Sequence, residues 1–436
     1  MIQVLPFCGW RFDLSQVGAL SEVLSPAASE ICEATQRALY RLHPCNVVRL
    51  ICNRDEPGDT SPADRTARAD DFFRLWRKEG ILVREHETAF YIVETRFQDG
   101  QLDRERWSLF GQLALQGADG QPVVPVTALK PAEEEIRACL ELRRAAHADL
   151  APVVALAEDV TADASRESLS ELLERLVRQA TPMECFLEYG VRHRVWAVTS
   201  EAAKNQITER LSVTRPLLIS GVAQYHAAVQ HAAELRHTGT LKGPNDPAGR
   251  VLTCFLGTDD GGLEFQPGFV AAALTEALSG EKFREAAARV TGVQCRFVGN
   301  ESYAVSDALE LAALNDDQPC VAVGTPDGEW QLLSAPARCE NHAELLELLQ
   351  AELLPVGRRE WQTLTAAADS ARQGRPGVPT AAAGAVMIAT PPLIPVPEVG
   401  SGCASIVTGL NETGLRLYPG VPVGLVFSAH SDRVSA

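Results

Sequence analysis

Residues 217–235 read LLISGVAQYHAAVQHAAEL, and the change of pattern inside this stretch decides the fold. The opening LLIS is a short apolar run of the kind that forms a buried strand, and Gly221 interrupts it before an alanine-rich helical stretch. A strand, a glycine turn and a helix start make a suitable place for ligand chemistry. However, Val222, Ala223 and Gln224 after the glycine carry no group that titrates, attacks or binds a metal.

Predicted strands and helices alternate in the first third of the chain. NVVRLIC at 46–52 is predicted as a strand, and the apolar residues of 63–78 recur at helical spacing until Gly80 ends the pattern. AFYIVETRF at 89–97 and WSLFGQLAL at 107–115 are rich in β-branched and aromatic residues and lie on either side of the polar turn QDGQ. These two segments are therefore predicted to form a hairpin.

The central part of the chain continues this mixture. Residues 132–150 and 165–180 have helical patterns, and Ser168 with Glu171 matches the S-x-x-E signature of a capping box. Further strands are predicted at 192–199 and 251–257. The fold class is therefore predicted as α/β to α+β, with mixed sheets and flanking helices.

A chain of 436 residues exceeds the length at which a single core usually stops growing. Three subdomains packed as one compact unit are predicted. They are an N-terminal α/β subdomain at 1–130, a central subdomain with the Gly221 turn at 131–300, and a C-terminal α/β subdomain at 301–436.

Charge and cysteine usage indicate the environment of the protein. The formal net charge of −17 repels phosphate backbones and anionic lipids, so no nucleic-acid partner and no membrane partner are predicted. Eleven cysteines without a C-x-x-C pair indicate free thiols in a reducing cytoplasm. The first residues lack the pattern of a signal peptide. The uncharged stretch 376–397 contains six prolines, so a loop with a buried strand at AVMIA is predicted rather than a membrane span.

The familiar catalytic and metal-binding patterns are absent from the sequence. His226, His231 and His237 are spaced by five and six residues, not by the four that place two ligands on one helical face, so no metal site is predicted. The sequence contains no P-loop, no G-x-G-x-x-G and no G-x-S-x-G. GTDDGGLEF has the wrong order for an EF-hand loop and is predicted as a β-turn. Cys254 and Cys403 are predicted as buried apolar residues.

Several segments in a common order resemble the bacterial and archaeal family known as domain of unknown function 1015. They are VLPFCGWRF at 4–12, HPCNVVRL at 43–50, LWRKEGIL and AFYIVETRF within 75–97, LAPVVAL at 150–156, GVRHRVWAVT at 190–199, LLISGVAQYHAAV at 217–229 and ETGLRLYPGVPVGLV at 412–426. The family looks related to the ParB- and sulfiredoxin-like superfamily, whose members include kinases of free serine. The resemblance thus implies a ParB/sulfiredoxin-like core with additional subdomains. It also implies phosphoryl transfer to a small hydroxylated metabolite from ATP, ADP or pyrophosphate, with a metal ion and a base.

The chain departs from the family at nearly every polar motif. An Ala-Asp-Gly-His-His-Arg-Tyr run corresponds to 219–225 here, where only Gly221 and Tyr225 are kept. Other family elements and their counterparts here are Pro-Pro-Tyr-Asp at 19–22, Pro-His-Glu at 125–127, Pro-Thr-His-Arg at 267–270, a lysine-serine-threonine element at 413–415 and Tyr-Pro-Lys at 418–420. The residues kept are those with structural roles, and they are Pro125, Gly221, Tyr225, Pro267, Tyr418, Pro419 and Gly424. Loss confined to polar motif residues indicates a fold retained without its reaction.

The function predicted first is that of a noncatalytic family member, a pseudoenzyme that binds a small metabolite or a partner protein, with no cofactor. The alternative is a kinase of free serine or a similar metabolite, which would need Mg²⁺ with ATP, ADP or pyrophosphate. A ParB-like nucleic-acid binder is the third hypothesis, disfavoured by the acidic charge.

The candidate site residues follow from the same comparison. Glu22 is the candidate catalytic acid because it matches the family's acid in kind. The candidate binding residues are Gly221, Tyr225, His226, Arg416 and Tyr418. For Tyr225 and His226 the structural alternatives are packing against the sheet and exposure to solvent, and for Arg416 the alternative is a surface charge.

Overall fold

A computed structural model describes most of the chain. The described residues are 2–99, 101–117, 120–124, 131–160, 166–188, 190–241, 243, 246–266, 268–273, 278–300, 304–313, 318–337, 339, 344–345, 348–353, 362–363, 385–390 and 416–430.

The structure contains the following strands: β1 Val4–Leu5, β2 Trp10–Phe12, β3 Leu82–Arg84, β4 Phe90–Asp99, β5 Leu102–Ala114, β6 Ala148–Asp149, β7 Val153–Asp159, β8 Glu184–Glu188, β9 Val191–Val198, β10 Thr214–Ser220, β11 Arg250–Gly257, β12 Glu264–Gln266, β13 Gly268–Ala273, β14 Gln294–Gly299, β15 Cys320–Gly324, β16 Trp330–Ser334, β17 Gln362–Thr363, β18 Ala385–Thr390, β19 Arg416–Tyr418 and β20 Ser428–Ala429. Its α-helices are α1 Leu14–Val17, α2 Leu20–Val23, α3 Glu33–Leu42, α4 Val48–Ile51, α5 Pro62–Lys78, α6 Glu133–Ala146, α7 Leu169–Val177, α8 Glu201–Ser212, α9 Val222–His237, α10 Gly280–Ala287 and α11 Ala304–Ala313. Short 3₁₀ turns occupy Ala28–Glu30 and Pro247–Gly249, and a π-helical turn occupies Leu349–Leu353.

The chain divides into two compact units. Unit 1 comprises Met1–Gly262 and Pro419–Ala436, and unit 2 comprises Leu263–Tyr418. These limits differ from the predicted divisions at 130 and 300, because β11 pairs with β5 along its whole length and so joins the first two predicted subdomains in one sheet.

Unit 1 is built on an eight-stranded mixed sheet in the order β10-β7-β11-β5-β4-β9-β8, with β1 also paired to β5. The pair β7 and β11 is parallel, and the neighbouring pairs are antiparallel. Helices α7 and α9 pack on the sheet. The chain is thus a mixed α/β protein, as its sequence predicted. The predicted hairpin is also confirmed, since β4 and β5 pair from Tyr91 with Phe110 to Asp99 with Leu102.

The strand predicted at 46–52 is wrong, because this segment forms helix α4. Asn46 is fully buried, and its Oδ1 accepts the Val48 N–H at 3.0 Å, which starts a helical turn. Its Nδ2 also donates to the carbonyls of Glu22 and Leu24 at 2.8 and 2.9 Å. A short apolar run has no periodicity that separates a buried strand from a buried helix, so the asparagine contacts decide the outcome.

Helix predictions with clear end signals are confirmed. Helix α5 ends one residue before Glu79, and Gly80 follows with φ +73°. Ser168 is the N-cap of helix α7, and its side chain accepts the Glu171 N–H at 3.1 Å while the Glu171 carboxylate accepts the Ser168 N–H at 2.9 Å. This is the reciprocal pair of a capping box.

The core of unit 1 includes the end of the chain. Phe427 is fully buried and lies 5.9 Å from Phe12 and 5.7 Å from Phe73, measured between ring centroids. Backbone hydrogen bonds join Trp10 to Phe427 and Ser25 to Val423 in both directions. The segment from Pro419 to His430 is therefore an integral part of unit 1, although about 150 residues separate it from the rest of that unit.

Unit 2 contains an antiparallel six-stranded sheet in the order β14-β16-β15-β18-β13-β17. The predicted strand at AVMIA is confirmed as β18, and its Val386 and Ile388 are fully buried. Phe283 of α10 packs into the same core. Among the described residues, no helix has the length and apolar content needed to cross a membrane.

Candidate functional site

The glycine turn after β10 is shaped by backbone crowding. Gly221 has φ +78°, in the left-handed region that favours glycine, and it is the N-cap of α9. A Cβ at this position would lie 2.9 Å from Val153 Cα and 3.1 Å from Val153 Cγ1. Because β7 begins at Val153, the glycine allows the turn to press against the start of the neighbouring strand. Gly221 is therefore required by the fold itself.

Tyr225 lies one turn into α9 and is 1% exposed. The N–H of Val124 donates to its hydroxyl at 3.0 Å, and the hydroxyl lies 3.4 Å from the Val124 carbonyl that it can donate to. Burial raises the pKa of the Tyr225 hydroxyl to about 12. The hydroxyl is thus occupied by the backbone, and Tyr225 packs inside the protein as the structural alternative expected.

The contact between Tyr225 and Val124 joins α9 to the segment 120–124. Val124 directly precedes the Pro125–Thr127 segment, which lies outside the described residues. The turn itself is lined by apolar side chains, since Val222 and Ala223 are both 9% exposed. The side chains at 222 and 223 are therefore largely withdrawn from solvent.

The histidines of α9 have separate positions. His226 is half-buried, His231 is buried and His237 is exposed. Within the described part of the chain, no group of three or more His, Cys, Asp or Glu side chains is placed to hold a metal ion.

Glu22 lies apart from the Gly221 turn within unit 1, and two other candidates belong to unit 2. Glu22 is exposed on α2, which packs against β8, whereas Gly221 follows β10 at the opposite edge of the sheet. Arg416 and Tyr418 belong to unit 2, where β19 pairs with β12. Val126 and Thr413–Leu415 lie outside the described residues. Within unit 1, the structure does not bring Glu22 and Gly221 together.

A second group of polar residues surrounds Pro419 and Gly420 in unit 1. The Arg106 guanidinium, 1% exposed, donates from Nη2 to the Pro419 carbonyl at 2.6 Å. A side chain on Gly420 would begin 3.2 Å from Glu30 Oε2. The resemblance at 412–426 predicts a family lysine at the position of Gly420. The acid beside it is thus Glu30, whereas the sequence comparison had selected Glu22.

Asp260 is a buried carboxyl group that interacts electrostatically with Arg106. Its Oδ2 accepts the Trp107 N–H at 2.9 Å and the Ser170 hydroxyl at 2.6 Å, and its Oδ1 accepts the Gly262 N–H at 2.8 Å. Burial raises the pKa of Asp260, while these hydrogen bonds and Arg106 act in the opposite direction. The order of residues in GTDDGG predicted only a turn, and nothing in that pattern signals the contacts with β5 and α7.

The charge state of Arg106 follows from its surroundings. Burial lowers the pKa of the Arg106 guanidinium to about 10, and Asp260 acts against this shift, so the group stays charged at neutral pH. His193, whose Nδ1 lies 3.1 Å from the Thr95 hydroxyl, has its pKa lowered to about 4 by burial and by Arg106. Arg106 therefore places one buried cation at the Pro419 carbonyl, and Glu30 places a carboxyl group beside Gly420.

The family model described as Protein of unknown function (DUF1015) matches residues 4–352. The chain belongs to the DUF1015 family. The match ends at residue 352, so the resemblance at 412–426 lies beyond it. Searches of curated proteins and of solved structures gave no match. The ParB- and sulfiredoxin-like relationship of this DUF1015 protein stays a prediction.

Proposed function

We propose that this DUF1015 protein is a noncatalytic member of its family that binds a small metabolite or a partner protein. The observation that carries the proposal is the state of the glycine turn. Gly221 fits the turn against Val153, and the Tyr225 hydroxyl is bonded to the Val124 backbone. Gly221 and Tyr225, the two motif residues that the chain keeps, therefore have structural roles that require no substrate.

The replaced residues support the same proposal. Phosphoryl transfer needs cations and hydrogen-bond donors around the phosphates and a base for the hydroxyl. At the turn, buried Val222 and Ala223 offer neither, and Gly420 has no side chain to place a charge. We propose no cofactor for this function. The net charge of −17 and the ten free thiols among the described cysteines favour a cytoplasmic protein without a nucleic-acid partner.

Calorimetry and a phosphoserine assay test this proposal. With Mg²⁺ present, ATP and pyrophosphate are expected to show no binding in the micromolar range. Loss of a general base costs about 10²- to 10⁴-fold, and loss of one charge-stabilising donor about 10²- to 10³-fold. If an active kinase turns over about 10 times per second, this protein should phosphorylate free serine at no more than about 10⁻³ per second. Tight magnesium-dependent binding of ATP or pyrophosphate, or a turnover of about one per second, would contradict the proposal.

The alternative function is a small-molecule kinase with reassigned residues that acts on free serine or a similar metabolite. The observation that favours it is the arrangement at Pro419 and Gly420, where Glu30 could act as the base and Arg106 as the cation. Mg²⁺ with ATP, ADP or pyrophosphate would be needed only for this function.

Two matched substitutions separate the functions. If the protein is a kinase centred on Gly420, Glu30→Gln abolishes turnover and Glu22→Gln leaves it unchanged. The reverse result would assign the base to Glu22. Absence of turnover in the unsubstituted protein with each of the three donors would leave the noncatalytic proposal standing.

A further inference from the structure

Residues 428–430 are attached to unit 1 through a short strand that lies beside a cluster of buried polar residues. Strand β20 pairs with β6, and the His430 N–H donates to the His147 carbonyl at 2.8 Å. The Gln112 side chain donates from Nε2 to the Ser428 hydroxyl at 2.7 Å. These contacts close the C-terminal segment onto unit 1. We call Ser428–His430 with its contacts to β6 the C-terminal latch.

The latch contains one buried histidine, His430, and lies beside a second, His231. The His430 side chain is 5% exposed, His231 is also 5% exposed, and their ring centroids are 6.2 Å apart. Both ring nitrogens of His430 and the Nδ1 of His231 have no hydrogen-bond partner within the described residues. Buried polar atoms are normally paired, so this arrangement suits neutral imidazoles and is costly for charged ones.

The carboxylate nearest to the histidines is already engaged. Arg143 is 5% exposed and forms an ion pair with Asp149, and its Nη2 also donates to the Arg250 carbonyl at 2.7 Å. The Asp149 Oδ2 accepts the Leu252 N–H at 3.0 Å and lies 3.7 Å from His430 Nε2. A proton on His430 would therefore place a second buried cation beside Arg143, which already forms an ion pair with Asp149.

Most charged groups around the two imidazole rings lower the pKa of the histidine that they face. Burial lowers the pKa of His430 well below its usual range, and Arg143 and His147 add to this effect while Asp246 opposes it. Burial lowers the pKa of His231 to about 4. The further groups that face His231 are Arg143, Arg144 and His430, which lower its pKa, and Glu234, which raises it.

We infer that the C-terminal latch is opened by acid: protonation of His231 and His430 detaches Ser428–His430 from β6. The neighbouring Phe427 is fully buried in the core of unit 1. It therefore holds residues 419–427 in place while Ser428–His430 detach. This device is independent of the proposed function, because it involves neither Gly221 nor Gly420.

The direction of the pH effect follows from proton binding. In the closed latch the imidazoles are neutral, and in the open latch they regain the ordinary pKa of about 6.5. The open state therefore binds more protons, so opening becomes more favourable as pH falls from about 6.5 towards about 4, and the latch is closed at neutral pH. For one histidine shifted in this way, the opening constant rises on the order of 30-fold between pH 7.5 and pH 5.

Hydrogen exchange measured on the full chain tests the latch. At pH 7.5 and pH 5, the exchange rates of amides in Ser428–His430 and Ala148–Asp149 are corrected for the intrinsic pH dependence and compared with those of β4. The expected result is acceleration of more than about tenfold at the latch and none in β4. Equal protection at both pH values, or equal acceleration at the latch and in β4, would overturn the inference.

Substitutions assign the effect to the two histidines. The double variant His231→Gln with His430→Gln is expected to lose the acceleration, whereas His237→Gln, an exposed histidine of the same helix, keeps it. If the double variant does not fold, the single variant His231→Gln is decisive, because His231 lies on α9, outside the latch; it should reduce the acceleration several-fold. Full acceleration in the His231→Gln variant, or its loss in His237→Gln, would contradict the inference.

Discussion

At the scale of single residues, an amino acid can be needed at a position because the backbone conformation requires it, and not only because it takes part in a reaction. Gly221 combines a positive φ with a contact to Val153 that no other residue tolerates. Tyr225 combines burial with hydrogen bonds to Val124. Both contacts form with valine at 222 and alanine at 223 beside them. The glycine and the tyrosine thus have structural roles in the turn.

Gly221→Ala is expected to destabilise unit 1 by about 2–4 kcal/mol, which is the sum of a left-handed φ for alanine and a steric clash with Val153. Gly239→Ala provides a matched control at the other end of α9, because Gly239 has φ +67° and nothing within 4 Å of an added Cβ. The control should lose only about 1 kcal/mol. Urea denaturation measures both variants, and equal losses would show that contact with Val153 does not constrain the turn.

At the scale of elements, sequence patterns predicted those helices and strands whose signals are local. The capping box at Ser168 and the hairpin of β4 and β5 were both recognised from neighbouring residues. Helix α4 was not, because its formation depends on hydrogen bonds from Asn46 to residues more than twenty positions earlier. Such contacts leave no periodic signal in the sequence.

Asn46→Ala is expected to lower the free energy of unfolding by about 3 kcal/mol. The substitution leaves the carbonyls of Glu22 and Leu24 and the Val48 N–H without their partner in a buried region. Asn205→Ala, in the exposed face of α8, is the control and should change stability by less than about 0.5 kcal/mol. A loss below about 1 kcal/mol for Asn46→Ala would mean that water replaces these contacts.

At the scale of the whole molecule, the sequence predicted the fold class and the family, whereas the candidate site residues stay predictions. The resemblance singled out the Gly221 turn, and the structure shows why glycine suits this position. The partnership of Glu30 with Gly420 could not be predicted, because the two residues lie almost 400 positions apart and the alignment favoured Glu22. Likewise, composition does not change at Gly262 or Tyr418, so the limits of the two units appear only in the contacts.

The return of the chain to unit 1 leads to a prediction about Phe427. Its ring packs against Phe12 and Phe73 and is fully buried, so Phe427→Ala should destabilise unit 1 by about 3–5 kcal/mol. Phe427→Leu, which refills part of the space, should lose much less. Leu187→Ala, at a side chain 63% exposed on β8, should stay within about 0.5 kcal/mol. Hydrogen-exchange protection of β4 and β5 amides reports the stability of the sheet in each variant. Unchanged protection in Phe427→Ala would mean that the core of unit 1 forms without the C-terminal segment. The acid-opened latch would then attach a segment that the fold of unit 1 does not require.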